Sequence, residues 1–340
     1  HRAMVVRIFA FAAVLFNVSS IAFTFQPNHL PQHYPLSSST SLSALRRGSY
    51  VALATPLSPC GSTVDIDAYR SLLRWHVEQG TDGLCVLGTT GEASTLTSDE
   101  RMQVLEATRE ELEGLEGGPS IIVGSGTIST EATVEMSKAS SPFCDALLVV
   151  SPYYVKPPLQ GLISHFKAVA SATDKDIVLY NVPGRTGRDM LPSEIAAIKS
   201  AVGPRCVGVK EATGDVSRLP AIKALCGDDF LCWSGDDGTG KDFNLMGGDG
   251  VISVTANVAP AKMAEMMRLC FSGDEAGADA ADAQLRMLHD RLFCMSNPVP
   301  VKYALARMGR AERGIRSPLC WMEEEYEEAV DEALRVAGCI

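Results

Sequence analysis

The sequence predicts an α/β fold, a (β/α)₈ TIM barrel with a C-terminal helical domain, and three observations lead to this prediction. Eight short, continuous apolar runs recur between residues 50 and 255, and longer amphipathic stretches separate them. Apolar character that runs on without alternating indicates strands buried on both faces, as in a parallel sheet. A strand–helix pattern repeated over about 210 residues is typical of a closed barrel. After Ala256 the pattern becomes purely helical.

The barrel strands are predicted from these apolar runs: YVALAT (50–55), GLCVLG (83–88), SIIVGS (120–125), ALLVVS (146–151), IVLYNV (177–182), CVGVK (206–210), FLCWSG (230–235) and GVISVT (250–255). Helices are predicted over 65–80, 96–114, 159–173, 191–200 and 216–225, the second of them with Ser98 as its cap. An open doubly wound sheet is the alternative. It would need a glycine-rich phosphate loop after the first strand, and TPLSPCGS is not one.

Three segments follow from this pattern: a targeting presequence (1–48), a catalytic barrel (49–257), and the last barrel helix with a C-terminal helical domain (258–340). Arg7 precedes the apolar run IFAFAAVLF (8–16), which has the length of a signal-peptide core and is too short to span a membrane. The serine-rich, acid-free stretch that follows has the composition of a transit peptide. Together they resemble the bipartite presequence of algae whose plastids lie inside an ER-connected membrane. We therefore expect the plastid stroma, with a secreted protein or another organelle as the alternative.

Charge and cysteine content exclude several classes of function. The net charge of −11 argues against a nucleic-acid partner. The ten cysteines show no CxxC spacing, and several lie inside apolar runs, so neither a metal site nor a disulfide framework is expected. No metal-ligand cluster of the kind a metal-dependent aldolase needs is apparent. We expect no bound cofactor and no membrane association of the mature protein.

The predicted active site lies at the carboxyl ends of the strands, where barrel enzymes carry their chemistry. The sixth predicted strand ends in Lys210. Loss of solvation by water disfavours the charged ammonium form of a lysine there, and a neutral amine is a nucleophile for a ketone or aldehyde. Alternatively, Lys210 reaches solvent at the barrel rim or pairs with Glu211. Two tyrosines, two threonines and an arginine aimed at the same mouth favour the catalytic reading.

Five motifs resemble those of the dihydrodipicolinate synthase family, in the same order along the chain: GTTGE (88–92), YNVPGRTG (180–187), GVKEATGD (208–215), SGDD (234–237) and GVISVTAN (250–257). The resemblance extends from Gly48 nearly to the C-terminus. It implies that the protein has the barrel fold of a class I aldolase, that it is a lyase, and that it forms a homotetramer built as a dimer of dimers. Such an enzyme condenses pyruvate with L-aspartate 4-semialdehyde through a covalent lysine imine, in lysine biosynthesis via diaminopimelate.

The resemblance also implies a role for each matching residue. Lys210 forms the imine with pyruvate, and Tyr180 acts as general acid and base. Thr89 and Tyr154 complete a hydroxyl relay, the latter from a neighbouring subunit. The implied substrate-binding residues are Thr90 for the pyruvate carboxylate, Arg185 for the semialdehyde carboxylate, and Gly235 and Ile252 beside pyruvate.

Other functions remain open at this point. N-acetylneuraminate lyase and 2-keto-3-deoxy-sugar acid aldolases share the lysine and the tyrosine, although Arg185 suits a short acidic aldehyde better than a polyhydroxylated one. A non-catalytic, pyruvate-binding homologue is the alternative from a different class. Asp236 and Asp237 are interpreted as structural hydrogen-bonding groups, and none of the six histidines is interpreted as catalytic.

Feedback inhibition by lysine is predicted to be weak or absent. In lysine-inhibited relatives the inhibitor pocket uses a histidine or tryptophan, an asparagine and a glutamate. An ungapped match places Ser98, Ile128 and Ala132 at those positions, although Glu131 lies next to the last of them. A bound ammonium ion without a carboxylate partner is unfavourable.

Overall fold

A closed parallel barrel of eight strands forms the body of the protein in this computed structural model, which describes residues 45–340. Each strand pairs in parallel with the next, and β8 closes the barrel against β1. The strands are β1 Gly48–Ala52, β2 Gly83–Val86, β3 Ser120–Gly124, β4 Ala146–Val150, β5 Asp176–Asn181, β6 Cys206–Glu211, β7 Leu231–Ser234 and β8 Gly250–Ser253. The predicted barrel is confirmed, and the open sheet is excluded.

Apolar side chains fill the inside of the barrel because strand residues alternate between its two faces. The inward-facing cluster includes Tyr50, Cys85, Leu148, Val178, Tyr180, Trp233 and Ile252. The Tyr50 and Trp233 rings meet edge to face, with their centroids 5.5 Å apart. A Cβ atom at Gly83 would lie 2.0 Å from the Tyr50 ring, so only glycine fits there. The opposite faces of the strands pack against the surrounding helices.

Twelve α-helices occur in the described residues: α1 Ile66–Glu78, α2 Ser98–Leu112, α3 Thr130–Ser140, α4 Leu159–Ala172, α5 Pro183–Thr186, α6 Pro192–Val202, α7 Arg218–Cys226, α8 Gly240–Leu245, α9 Pro260–Ser272, α10 Glu275–Arg291, α11 Val299–Arg307 and α12 Glu324–Val336. The cap predicted at Ser98 is wrong. Thr97 is the N-cap of α2, because its hydroxyl accepts from the Glu100 amide while the Glu100 carboxylate accepts from the Thr97 amide.

Helix α3 was missed by the sequence analysis. Its buried side chains are Thr133, Ser137 and Ser140, so the helix has no apolar stripe for the sequence to reveal. Two of these hydroxyls are hydrogen-bonded locally: Thr133 Oγ1 donates to the Ser129 carbonyl at 2.8 Å, and Ser137 Oγ donates to Ser125 Oγ at 2.9 Å. The short helices α5 and α8 were missed for want of length.

The start of the barrel lies slightly before the expected boundary at residue 49. Gly48 is the first residue of β1, and its amide donates to the Asp249 carbonyl. Arg46 donates to the Gly118 carbonyl, and Arg47 lies 3.4 Å from the Asp249 carboxylate. Residues 45–48, assigned to the presequence from the sequence, therefore contact the barrel. The rest of the expected presequence, residues 1–44, lies outside the described residues.

The C-terminal helices are attached to the barrel by ionic contacts. Lys302 on α11 forms a buried ion pair with Glu92, which directly follows the β2 loop. Arg316 binds Glu100 with two nitrogens, at 2.7 and 2.8 Å, and these hydrogen bonds lower the pKa of Glu100 to about 2. Among residues 45–340, no helix combines the length and apolar character needed to cross a bilayer.

Candidate active site

Lys210 and Tyr180 lie side by side at the carboxyl ends of β6 and β5. The two residues are register partners in the parallel sheet, so their side chains project in the same direction. Lys210 Nζ lies 4.6 Å from the centroid of the Tyr180 ring. Their exposed fractions are only 6% and 8%. A lysine amine and a phenol, both largely shielded from water, therefore contact each other at the end of the barrel that carries catalytic groups in this fold.

Small residues make room for the lysine side chain. A Cβ at Gly235 would lie 2.9 Å from Lys210 Cε and 2.6 Å from the Ala212 Cβ, so glycine is required beside the lysine. Cys85 lies in the same interior cluster, where burial raises the pKa of its thiol while the charge of Lys210 opposes the shift. Ile252 on β8 is also buried in this cluster. Gly235 thus lies directly against the lysine, and Ile252 contributes to the apolar interior.

Glu211 is not the partner of Lys210. Successive strand residues face opposite sides, and Glu211 lies on the outer side of the sheet. Its carboxylate accepts from Arg218 Nε at 3.2 Å and from the Thr213 amide at 3.0 Å. Asn181 also donates to it, while burial raises its pKa. Among the described residues, no carboxylate forms an ion pair with Lys210, so the structural alternative for this lysine receives no support.

The loop after β2 carries two threonines with different surroundings. Thr89 is exposed, whereas Thr90 is buried with an exposed fraction of 2%. Thr90 Oγ1 accepts a 3.0 Å hydrogen bond from the side-chain amide of Asn297. Two residues further on, Glu92 has a φ of 52° and is held by Lys302 and by the Arg316 amide. The loop is therefore fixed from the C-terminal helical region.

A cavity of about 310 Å³ opens beside these groups. Thr89, Tyr153, Tyr180 and Arg185 all line it. Arg185 is exposed, and its guanidinium donates to the Asn297 carbonyl at 3.1 Å. Lys210 is not part of the lining, but Tyr180 lines the cavity and contacts the lysine. The cavity therefore places a phenol, a hydroxyl and a guanidinium within one space.

Tyr154 lies elsewhere in the isolated chain. Its side chain is 84% exposed, its φ is 69°, and it does not line the cavity. Its backbone amide donates to the Thr186 carbonyl at 3.3 Å, which ties this loop to the loop after β5. The neighbouring Val155 is also exposed, at 57%. The structure of one chain thus brings together Lys210, Tyr180 and Gly235, and places Thr89 and Arg185 around the adjacent cavity, but leaves Tyr154 pointing to solvent.

Several polar residues near the barrel mouth have structural roles. Asp237 accepts from the amides of Val254 and Thr255, both at 2.9 Å, and Asp236 accepts from Thr239. Elsewhere in the fold, His76, His165 and His289 are buried, and each shares a hydrogen bond with a threonine. Across residues 45–340, no group of three His, Cys, Asp or Glu side chains is arranged to hold a metal ion.

Asn297 is the residue of this region that sequence reasoning missed. It contacts both Thr90 and Arg185 but lies 207 residues after Thr90, in the connection between α10 and α11. It belongs to the segment SNPVPVK, which contains no catalytic residue type at a recognisable spacing. Only a search for polar residues that directly precede a proline between predicted helices could have singled it out.

A closed barrel with a shielded lysine and tyrosine at the carboxyl ends of its strands defines the protein as a (β/α)₈-barrel enzyme. The model of the dihydrodipicolinate synthetase family matches residues 45–337. The chain is 47% identical over 295 residues to the 4-hydroxy-tetrahydrodipicolinate synthase of Methylococcus capsulatus, covering 86% of this chain and 99% of that protein. The protein of the same name from Alcanivorax borkumensis is 46% identical over 86% of this chain and 98% of its own length.

Solved structures give the same result. One match is the chloride-inhibited dihydrodipicolinate synthase from Acinetobacter baumannii, complexed with pyruvate. Its TM-score is 0.83 and its identity 42%, and the match covers 87% of this chain and 100% of that chain. The enzyme from Cyanidioschyzon merolae with lysine bound matches with a TM-score of 0.82 and 33% identity, over 86% and 99% of the two chains. The protein belongs to the dihydrodipicolinate synthetase family, and it is a lyase of the aldolase type.

Proposed function

We propose that the protein condenses pyruvate with L-aspartate 4-semialdehyde, the 4-hydroxy-tetrahydrodipicolinate synthase reaction of lysine biosynthesis through diaminopimelate. The names of relatives at 43–47% identity support this activity. The observation that carries the proposal is the Lys210 amine, shielded from water and 4.6 Å from the Tyr180 ring at the carboxyl end of β6. An amine in this position can add to a keto acid, and a phenol beside it can exchange the protons.

The proposed reaction begins when Lys210 Nζ attacks the ketone carbon of pyruvate. The carbonyl oxygen leaves as water, and the product is a protonated imine. Loss of a proton from the pyruvate methyl group gives an enamine, which adds to the aldehyde carbon of the semialdehyde. Tyr180 supplies a proton to the departing oxygen, takes up the proton lost from the methyl group, and then supplies a proton to the new alkoxide. The amino group of the bound semialdehyde finally gives a proton to the Tyr180 phenolate and attacks the imine carbon, which closes the ring and releases the Lys210 amine. No metal or other cofactor is needed, because the protonated imine itself withdraws electrons from the adjacent methyl carbon and so stabilises the enamine.

The proposed hydroxyl relay consists of Tyr180, Thr89 and Tyr154. Thr89 and Tyr180 line one cavity, which supports their part in it. Tyr154 would join them from a neighbouring subunit, so the dimer would be the catalytic unit within a tetramer. Support for this arrangement is the 84% exposure of Tyr154 and the 57% exposure of Val155, a protruding apolar loop of the kind that packs at interfaces. One matching structure is of a monomeric variant of the enzyme, so assembly varies within these relatives.

Substrate carboxylates are assigned to the remaining residues. Thr90 and the backbone of its loop would bind the carboxylate of pyruvate, with Gly235 and Ile252 beside the imine. Arg185 would bind the carboxylate of the semialdehyde, since it lines the cavity and its guanidinium has further donors besides the one bound to the Asn297 carbonyl. We also propose that residues before the barrel direct the protein to a plastid stroma. Secretion or another organelle is the alternative destination.

A direct comparison of substrates tests the proposed function. The purified protein should consume pyruvate and L-aspartate 4-semialdehyde with a kcat/KM at least about 10³-fold above that for N-acetylneuraminate cleavage, because a charged pocket discriminates strongly against a neutral acceptor. Borohydride reduction in the presence of pyruvate should leave a stable adduct on the Lys210 peptide. Cleavage of N-acetylneuraminate at a comparable rate would contradict the assignment. An unmodified Lys210 peptide would indicate a non-catalytic homologue.

Weak feedback by lysine is a second expected result. Ser98, Ile128 and Ala132 are exposed and offer neither a carboxylate nor an imidazole. We expect less than half-inhibition of the synthase reaction at about 1 mM lysine, because a bound ammonium without a counter-charge gains little. Half-inhibition well below that concentration would show that Glu131 or another acid completes a lysine site. Titration calorimetry on wild type and Glu131→Gln would then identify it.

A further inference from the structure

One residue of the C-terminal region contacts both of the residues proposed to hold substrate carboxylates. The Asn297 side-chain amide donates to Thr90 Oγ1 at 3.0 Å, and its backbone carbonyl accepts from Arg185 Nη2 at 3.1 Å. Asn297 is 7% exposed, so water competes little for these bonds. The two contacts use different parts of the residue. A side-chain substitution can therefore remove the first and leave the second in place.

The direction of the hydrogen bond to Thr90 has a chemical consequence. A threonine hydroxyl has one hydrogen to donate and two lone pairs that accept. Because Asn297 donates to Thr90 Oγ1, the Thr90 hydrogen is not used in this contact. A carboxylate only accepts hydrogen bonds, so a hydroxyl that binds it must have its hydrogen available. The amide of Asn297 thus leaves Thr90 ready to donate to an anionic ligand.

The other half of the Asn297 amide supports the same reading. Its Oδ1 atom is buried and has no hydrogen-bond partner among the described residues. With the amide turned the other way, Oδ1 would take the Thr90 hydrogen and remove the donor from the site. An orphaned buried acceptor lowers stability, and such a group calls for an explanation in function. The observed orientation of the Asn297 amide therefore leaves Oδ1 without a partner among the described residues, but it keeps the Thr90 hydrogen available for a ligand.

The segment that carries Asn297 is held in register with the threonine loop. Lys302, five residues after Asn297, forms the buried ion pair with Glu92, two residues after Thr90. The Lys302 amide also donates to the Pro298 carbonyl at 3.0 Å within the first turn of α11. Asn297 therefore meets Thr90 at a fixed position.

We propose that Asn297 is a positioning residue that orients the Thr90 hydroxyl to donate to the carboxylate of the keto-acid substrate. This inference rests on the proposed function, since it takes pyruvate as the ligand of Thr90. Asn297 acts through Thr90 and makes no contact with the reacting atoms in this role. Substitution of the Asn297 side chain should therefore raise KM for pyruvate and leave KM for the aldehyde unchanged. The proposed ligand of the aldehyde, Arg185, is held by the Asn297 backbone.

Steady-state kinetics on Asn297→Asp and Asn297→Ala tests the proposal. The Asp side chain has nearly the same shape but accepts the Thr90 hydrogen and adds a negative charge, so KM for pyruvate should rise about 30-fold or more. The Ala side chain only frees the hydroxyl to rotate, so the rise should be about 5-fold. KM for the semialdehyde should stay within about 2-fold in both variants, because a backbone carbonyl still accepts from Arg185. Circular dichroism checks folding, and Asn297→Ala keeps the test usable if the Asp variant does not fold.

Two controls separate positioning from a structural role. Ser296→Ala, at the exposed neighbouring position, should leave both KM values unchanged. In a Thr90→Val background, Asn297→Ala should change the pyruvate KM by less than about 2-fold, since the hydroxyl it acts through is gone and no charge is introduced. Equal rises in both KM values, no rise in either, or a full effect in the Thr90→Val background would each overturn the proposal. A wild-type protein inactive with pyruvate and the semialdehyde would instead reject the function itself.

Discussion

Lys210→Ala is expected to lower kcat by about 10⁴-fold or more, because the nucleophile that forms the covalent intermediate is lost. The side chain lies at the end of β6, flanked by Tyr180 and Gly235, and other described lysines do not share this position. Alanine fits the strand without strain, so the fold should persist. Borohydride with pyruvate should then leave no adduct. The measurement is a coupled assay together with mass spectrometry of the reduced protein.

Two matched variants sharpen this test. Lys210→Arg keeps the positive charge but supplies a guanidinium that stays protonated, so it should be as inactive as the alanine variant. Lys138→Ala removes an exposed lysine that pairs with Glu135 on α3, and it should retain wild-type activity. Activity in Lys210→Arg within about tenfold of wild type would show that this position supplies charge and not a nucleophile.

Lys302→Met is expected to destabilise the protein by about 3 kcal/mol, because it leaves the buried Glu92 carboxylate without its main counter-charge. Both side chains of this pair are almost completely buried. Without Lys302, the one donor left to the Glu92 carboxylate within residues 45–340 is the Arg316 amide at 3.0 Å. The loss should appear as a lower midpoint of thermal unfolding, by roughly 2–4 °C for each kcal/mol. Since Glu92 directly follows the Thr89–Gly91 turn, KM for pyruvate should rise as well.

A double variant distinguishes two causes of the lost stability, the unpaired buried charge and the loss of packing. Glu92→Gln combined with Lys302→Met removes both charges, and it should recover much of the stability lost in Lys302→Met alone. Lys138→Met, at an exposed pair, should change stability by less than about 1 kcal/mol. If the double variant were no more stable than Lys302→Met, the buried charge would not be the cause. Poor packing of the methionine against the loop after β2 would then be the cause.

The strand assignments and the lysine at the end of β6 were accessible from the sequence for a common reason. A strand buried on both faces must be apolar throughout, so each strand stands out along the chain, and an ionisable residue at its end stands out equally. Boundaries shifted by a few residues, as at Gly48 and Ser253, because the strands end where the ladder of backbone hydrogen bonds ends. Helix α3 stayed hidden because threonine and serine form its buried face.

The surroundings of each site residue were not accessible in this way. Tyr180 and Lys210 are 30 residues apart, and their contact depends on the parallel register of β5 with β6. The sequence left open whether Lys210 pairs with Glu211, and the strand geometry turns that carboxylate toward Arg218. Tyr154 could be placed near the site by resemblance alone, while in the single chain it points into solvent.

By itself the sequence determined the barrel, the helical C-terminal region, and the residue types at the carboxyl ends of the strands, since these depend on local apolar patterning. Tertiary structure alone decided that Asn297 meets Thr90 and Arg185, and that Lys302 meets Glu92 across 210 residues of chain. These contacts join segments that are distant in sequence. They exist only because closing the barrel brings the C-terminal helices against the β2 loop, and no local pattern encodes that distance.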